Sequence, residues 1–176
     1  MAETVVSVFG TSRARPGQPA YEFAVQAGRA LAEAGFTLAN GGYRGTMEAS
    51  AKGAAQAGGA VVGVTCSRFK KGVANEYVTR EMKTNSLDER LSTLVKLGGA
   101  YVVLPGGTGT LLELAMVWEL KNKGFFETGK PIVLAGDFWR PLVDLMARDD
   151  PACVKAVALA ETPQDVARLI REGLGV

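Results

Sequence analysis

The stretch Pro105-Gly106-Gly107-Thr108-Gly109-Thr110-Leu111-Leu112-Glu113 follows an apolar, strand-like run at residues 100–104 and opens a helix-like segment. A glycine-rich turn between a strand and a helix is typical of a phosphate-binding loop, because glycines let backbone N–H groups approach an anion and the helix dipole attracts it. The stretch therefore predicts an anion site, with a carboxylate about one turn into the helix. The residues predicted to bind the anion are Gly106, Gly107, Thr108, Gly109 and Thr110.

Apolar, β-rich runs alternate with segments of helical periodicity along the chain. The predicted strands are residues 5–9, 36–39, 60–65, 100–104 and 132–135, and the predicted helices are residues 20–34, 46–57, 87–97, 111–121, 140–147 and 164–172. Short, continuous apolar strands are typical of a parallel sheet covered on both faces. The pattern predicts one Rossmann-like domain over residues 1–176, a doubly wound parallel sheet in a three-layer α/β/α sandwich. Gly28, in the first helix, is expected to let that helix lie close on the sheet.

Two further glycine-containing turns follow predicted strands, namely Gly10-Thr11-Ser12 and Asn40-Gly41-Gly42-Tyr43-Arg44-Gly45. Ligands of such sheets bind beyond the carboxyl ends of the strands. We therefore expect all three turns to line one crevice. The additional predicted phosphate- or nucleotide-binding residues are Gly10, Thr11, Ser12, Gly41 and Gly42.

The composition excludes several kinds of chemistry. The 176 residues contain no histidine, which removes Ser-His-Asp and Cys-His nucleophile systems and the HExxH zinc site. The cysteines, Cys66 and Cys153, form no CxxC pair and are interpreted as reduced thiols. No GxGxxG opens a helix after the first strand, and the P-loop-like run at residues 124–130 precedes a strand instead of following one. We expect no metal and no cofactor.

The charge balance favours small-molecule ligands. Lys and Arg number 20 against 18 Asp and Glu, for a net charge of +2, and no long basic block occurs. A nucleic-acid partner is therefore not expected. No apolar run is long enough for a membrane span, and the start of the chain does not resemble a signal peptide. A soluble, cytoplasmic protein without membrane contact is expected.

Glu113 has two interpretations. Thr110-Leu111-Leu112-Glu113 matches a T-x-x-E capping box, in which the acid satisfies a backbone N–H at a helix start. In the helical projection, however, Glu113 falls in the same arc as Met116, Val117 and Leu120. A carboxylate on a face expected to be buried costs several kcal/mol unless it is paired or used. The functional interpretation is preferred, and both can hold together.

Arg90 presents a similar case on the preceding helix. It lies inside the edge of an apolar stripe made by Leu87, Leu91, Leu94, Val95 and Leu97, with no acidic residue three or four positions away. A guanidinium in that place favours a carboxylate or phosphate partner in bidentate geometry. The alternative is an arginine whose aliphatic stem covers the edge of the core while its head reaches water.

Together these residues resemble the LOG phosphoribohydrolase family, whose members were long labelled lysine-decarboxylase-like. The first turn resembles the family's first-strand turn, residues 40–47 its GGG-x-x-GLM turn, and Pro105 through Glu113 its PGGxGTxxE signature. Arg90 precedes Glu113 by 23 residues, which is the family's spacing. This chain departs from the family pattern at Asn40, Leu91 and Leu112.

The resemblance implies hydrolysis of the N-glycosidic bond of a nucleoside 5′-monophosphate, of the AMP or N6-modified AMP class, to free base and ribose 5-phosphate. Arg90 and Glu113 would be the catalytic residues, with Arg90 holding Glu113 ionised. It also implies a homodimer or higher homo-oligomer. The alternative is a non-catalytic carrier of a nucleotide or a molybdenum-cofactor-like phosphorylated ligand. Lysine decarboxylation is not expected, because no lysine lies in the three turns to bind pyridoxal phosphate.

Overall fold

A seven-stranded parallel sheet forms the centre of the molecule in a computed structural model, which describes residues 4–69, 72–126 and 129–176. The strands are β1 (Val5–Phe9), β2 (Thr37–Asn40), β3 (Val61–Cys66), β4 (Arg80–Thr84), β5 (Ala100–Val103), β6 (Ile132–Ala135) and β7 (Ala158–Ala160). They lie in the order β4-β3-β2-β1-β5-β6-β7, and every neighbouring pair is parallel. This confirms the predicted Rossmann-like fold.

Within the described residues, six α-helices cover the two faces of the sheet. They are α1 (Pro19–Glu33), α2 (Thr46–Gln56), α3 (Leu87–Leu97), α4 (Thr108–Asn122), α5 (Arg140–Asp149) and α6 (Pro163–Leu174), with a short 3-10 helix at Cys153–Ala156. Helices α1, α2 and α6 share one buried cluster, and α3 and α4 share the other. Successive side chains of β1 divide between them, with Val8 in the first and Phe9 in the second, as the period of a strand requires. No helix in the described parts of the chain is long and apolar enough to cross a membrane.

The two edge strands, β4 and β7, were not predicted from the sequence. β4 reads Arg-Glu-Met-Lys-Thr and is mostly exposed, so it lacks the apolar run that marks the central strands. β7 has only three residues. Edge strands that are short or charged resist pairing with other chains, and the same properties hide them from a search for hydrophobic runs.

The strand order places a switch point beside β1. From β1 the chain builds outward through β2, β3 and β4, and then returns to β5 on the other side of β1. In open α/β sheets, ligands bind at such a point, outside the carboxyl ends of the strands. The predicted turns follow β1, β2 and β5, the three adjacent strands at this position.

Gly28 lies against α2 rather than against the sheet, which corrects the expected role of this residue. A Cβ at Gly28 would overlap the carbonyl group of Ser50, and one at Gly53 would overlap the carbonyl group of Val25. Each helix therefore contributes a glycine at the point where the other backbone approaches. The periodicity of α1 alone shows that a small residue faces inward, but not which element meets it.

We predict that Gly28→Ala lowers the free energy of unfolding by about 2 kcal/mol or more, because the new methyl group would force α1 and α2 apart. Thermal or urea unfolding measures the change. Gly109→Ala is the matched control, since a Cβ there meets no atom within 4 Å and alanine favours a helix over glycine. Equal effects of the two substitutions would contradict the close approach of the helices.

Candidate functional site

The three predicted turns meet at the switch point. The Thr11 N–H donates to the Pro105 carbonyl oxygen at 3.2 Å, which joins the turn after β1 to the turn after β5. The Thr11 carbonyl oxygen accepts from the N–H of Thr46 at 2.9 Å and from its hydroxyl at 3.1 Å, which joins the turn after β2. The turns therefore form one continuous wall.

A cavity of about 940 Å³ lies above this wall. Of the predicted site residues, those that line it are Gly10, Thr11, Ser12, Arg90, Gly106, Gly107, Thr108, Gly109, Thr110 and Glu113. Gly41 and Gly42 are buried and are not among its lining residues, so their contact with a ligand stays a prediction. A Cβ at Gly41 would overlap the Arg90 guanidinium, and Gly42 turns the chain with a φ of +74°. Both glycines shape the site from behind.

The amino end of α4 is open to the cavity. The helix begins at Thr108, with Gly107 as its N-cap residue, and no side chain caps it. Thr110 and Glu113 therefore lie inside the helix, so the capping-box interpretation of Glu113 is wrong. The first N–H groups of a helix lack intrahelical acceptors and carry partial positive charge. They are available to an anion here, and the absence of a Cβ on Gly106 leaves space for the Thr110 side chain.

Glu113 is a buried carboxylic acid at the side of this opening. Its side chain is only 13% exposed, and Arg90 Nη1 lies 3.8 Å from its Oε1 atom, beyond direct hydrogen-bond distance. Burial raises the pKa of Glu113 to about 7, although the positive charge of Arg90 acts to lower it. The expectation that Arg90 keeps Glu113 fully ionised therefore fails, because loss of hydration outweighs the neighbouring cation. Near neutral pH the carboxyl group is able both to accept and to donate a proton.

Arg90 is held in a fixed orientation by contacts on several sides. Its Nε–H donates to the Val64 carbonyl oxygen at 2.8 Å, near the carboxyl end of β3. The guanidinium carbon lies 5.5 Å from the centre of the Tyr43 ring and 5.6 Å from that of Phe69. Its side chain is 9% exposed. The arginine is therefore a buried part of the site, not a surface residue whose head reaches water.

Asn40, where the resemblance leads one to expect glycine, has a structural role. Its Oδ1 accepts from the Gly42 N–H at 2.8 Å, and its Nδ2 donates to the Met47 carbonyl oxygen at 2.9 Å. The side chain thus ties the turn to the first turn of α2. Leu91 and Leu112, the other two departures, line the cavity and make its wall more apolar.

Sequence reasoning missed several residues of the cavity wall. Tyr43 and Arg44 stand inside the quoted glycine turn, while Phe69 and Phe138 lie in loops that follow strands. For Tyr43, the available signal was an aromatic residue inside a glycine turn that follows a strand. Phe69 contacts Arg90 across 21 positions of sequence, a contact that no local pattern indicates.

We predict that Glu113→Gln changes stability in a pH-dependent way. A carboxyl group whose pKa is raised on folding is harder to ionise in the folded state than in the unfolded state. Its cost to the free energy of unfolding therefore grows as pH rises from about 4.5 to about 7 and is complete above that range. The variant should gain up to about 3 kcal/mol relative to the unsubstituted protein between pH 5 and pH 8. Chemical unfolding at both pH values measures this difference. If the difference is the same at both, the pKa of Glu113 is not raised.

The comparison with known families assigns this arrangement to a class. The profile of the SLOG cluster4 family matches residues 3–162. The chain belongs to this family. Arg90 and Glu113 line its cavity at the carboxyl ends of the strands.

Two relatives with curated names support the resemblance to the LOG family. A cytokinin riboside 5′-monophosphate phosphoribohydrolase of Rhodococcoides fascians is 33% identical over 143 residues, which are 78% of this chain and 71% of that protein. The Mycobacterium tuberculosis protein of the same name is 36% identical over 121 residues, 67% of this chain and 63% of that one. The recognised family resemblance is thereby confirmed.

A solved structure extends the likeness over nearly the whole chain. The molybdenum cofactor binding protein of Rippkaea orientalis superposes with a TM-score of 0.80 over 98% of both chains, at 24% identity. This similarity shows a shared fold.

Proposed function

We propose that the protein hydrolyses the N-glycosidic bond of a nucleoside 5′-monophosphate of the AMP or N6-modified AMP class, releasing the free base and ribose 5-phosphate. One observation carries the proposal: a buried carboxyl group with a pKa near neutrality shares a cavity with an uncapped helix terminus. The names of the curated relatives support the same reaction.

In the proposed complex, the 5′-phosphate lies at the amino end of α4. Backbone N–H groups and the hydroxyls of Thr108 and Thr110 would donate to its oxygens. Binding energy from this non-reacting group would orient the ribose in the cavity. Arg90 would donate to ribose hydroxyls or the phosphate, in the orientation set by its hydrogen bond to Val64.

Glu113 would act on the water that attacks the C1′ atom. The bond from C1′ to the base nitrogen breaks, its electron pair leaves with the base, and positive charge develops on the ribose. The ionised carboxylate would stabilise this charge and take a proton from the attacking water as the new C–O bond forms. The departing base would take up a proton, so that the products are the neutral base and ribose 5-phosphate.

We predict that Glu113→Gln lowers the rate of base release by about a hundredfold or more, as loss of a general base does. A panel of nucleoside 5′-monophosphates, including N6-modified AMP, is incubated with the protein, and free base and ribose 5-phosphate are measured by chromatography. Glu119→Gln is the matched control, because Glu119 lies on the same helix but is 63% exposed and pairs with Lys123. Equal rates for both variants would contradict the role of Glu113.

The second candidate is a non-catalytic carrier of a nucleotide or molybdenum-cofactor-like ligand. The fold match to a molybdenum cofactor binding protein favours it. A carrier needs the anion cradle but no proton transfer. Binding of a phosphorylated ligand without release of base from any nucleotide in the panel would support the carrier over the hydrolase.

We also propose that the protein forms a homodimer through α4. Leu111, Leu112 and Met116 each expose more than a third of their surface on this helix, whose apolar residues surround most of its axis. Exposed apolar clusters of this kind are typical of protein interfaces. A second copy of the chain is the partner that the family resemblance implies.

We predict that the double substitution Leu112→Lys and Met116→Lys yields monomers, because like charges would meet across the interface. Light scattering after size-exclusion chromatography should give twice the 18.5 kDa mass of one chain for the unsubstituted protein, and the mass of one chain for the variant. Val176→Lys, at another exposed apolar residue, should remain dimeric. A monomeric unsubstituted protein would contradict the proposal.

A further inference from the structure

A second cavity, of about 650 Å³, opens beside the first. The two share Ser12, Arg13, Arg44 and Val73 as lining residues, so they are continuous across the turn that follows β1. Arg15 and two carboxylates, Glu48 and Glu76, complete the charged groups of the second cavity. Single ligand pockets span about 300–1,000 Å³, so the joined space exceeds what one mononucleotide needs.

The three arginines of this cavity are not neutralised by acidic partners. In the described parts of the chain, none of Arg13, Arg15 and Arg44 has a carboxylate oxygen within 4 Å. Elsewhere on the surface, Arg140 and Arg168 each pair with an acid close in sequence. The guanidinium groups beside the cavity thus retain their capacity for an external anion.

The loops that carry these arginines are fixed by their own hydrogen bonds. The backbone N–H of Arg13 donates to Thr11 Oγ1 at 3.1 Å, and the backbone N–H of Arg15 donates to Gln18 Oε1 at 2.9 Å. Next to Arg44, Gly45 has a φ of +73°, and a Cβ there would overlap the Thr11 carbonyl oxygen. The loop that carries Arg13 and the loop that carries Arg44 therefore both pack against Thr11, which also contacts Pro105. Anchoring the backbone lowers the entropy lost when a ligand is bound.

We propose that the second cavity is a subsite for a second phosphate, so that the protein binds a nucleoside 5′-diphosphate more tightly than the monophosphate. The inference rests on the proposed function, which places the first phosphate at the amino end of α4. Ser12 and Arg13 form the common wall, so a diphosphate extends from one cavity into the other. Arginine is the side chain best suited to phosphate, because its planar fork donates two parallel hydrogen bonds.

The carboxylates limit how much negative charge the subsite accepts. Three guanidinium groups and two carboxylates leave one net positive charge along its wall. That balance suits one additional phosphate, whereas the charge of a third phosphate would exceed it. Glu48 is itself engaged by the Tyr21 hydroxyl, which donates to its Oε1 at 3.5 Å. The subsite therefore favours ADP over both AMP and ATP.

The test is a calorimetric titration of AMP, ADP and ATP at one fixed ionic strength. It uses the Glu113→Gln protein, in which the nucleotides persist, alone and with Arg15→Ala added, because Arg15 lines the second cavity and not the first. ADP should bind about tenfold more tightly than AMP, as expected for one additional set of charge-assisted hydrogen bonds, and more tightly than ATP. Arg15→Ala should remove most of this advantage while changing the Kd of AMP less than about twofold.

Arg148→Ala is the matched control, because Arg148 is exposed on α5 and lines neither cavity. It should leave all three affinities unchanged, whereas an equal loss in the Arg15→Ala and Arg148→Ala variants would show only general charge attraction and overturn the subsite. Equal binding of AMP and ADP would overturn it as well. If base is released from AMP but ADP does not bind more tightly than AMP, only the second subsite is refuted. If neither base release from AMP nor binding of AMP is observed, the proposed function is refuted as well.

Discussion

The site depends on the burial of one carboxyl group beside one guanidinium at the carboxyl edge of the sheet. Removing a carboxylate from water costs several kcal/mol, and a cation 3.8 Å away compensates only part of that cost. The balance leaves the pKa of Glu113 near neutrality instead of near 4.5. If Arg90 were in direct hydrogen-bonded contact, the carboxylate would be more firmly ionised and a weaker base. The separation of the two groups is therefore part of their chemistry.

That separation is set by the residues around Arg90, of which Gly41 and Val64 do not line the cavity and Tyr43 does. Gly41 leaves space for the guanidinium, and the Val64 carbonyl oxygen accepts its Nε–H. Tyr43 is held in turn, because its hydroxyl accepts from the Cys66 N–H at 2.7 Å. The carboxyl ends of β2 and β3 thus fix the arginine, while α4 carries the glutamate. The relative positions of a helix and two strand ends determine the geometry of the pair.

The sequence predicted the architecture well because its central strands are short apolar runs and its helices have clear periodicity. It missed β4 and β7, since edge strands carry little of that signal. In the site, the sequence singled out Arg90 and Glu113 because each places a charge on an apolar helix face, and the structure buries both. It did not predict that Gly41 leaves space for Arg90, because a glycine that approaches a ligand and one that makes room for an arginine look alike in sequence.

The start of α4 shows a further limit of local patterns. Thr110 to Glu113 satisfies the spacing of a capping box, which would start the helix at Leu111, yet the helix begins three residues earlier, at Thr108, and has no side-chain cap. A phosphate-binding helix gains from leaving its first N–H groups unpaired, so the absence of a cap is the informative feature. The turn after β1 likewise has polar groups that remain open to a ligand. Its Ser12 and Arg13 face both cavities, so one short loop can couple recognition of an anion to the position of the sugar that the water activated by Glu113 would attack.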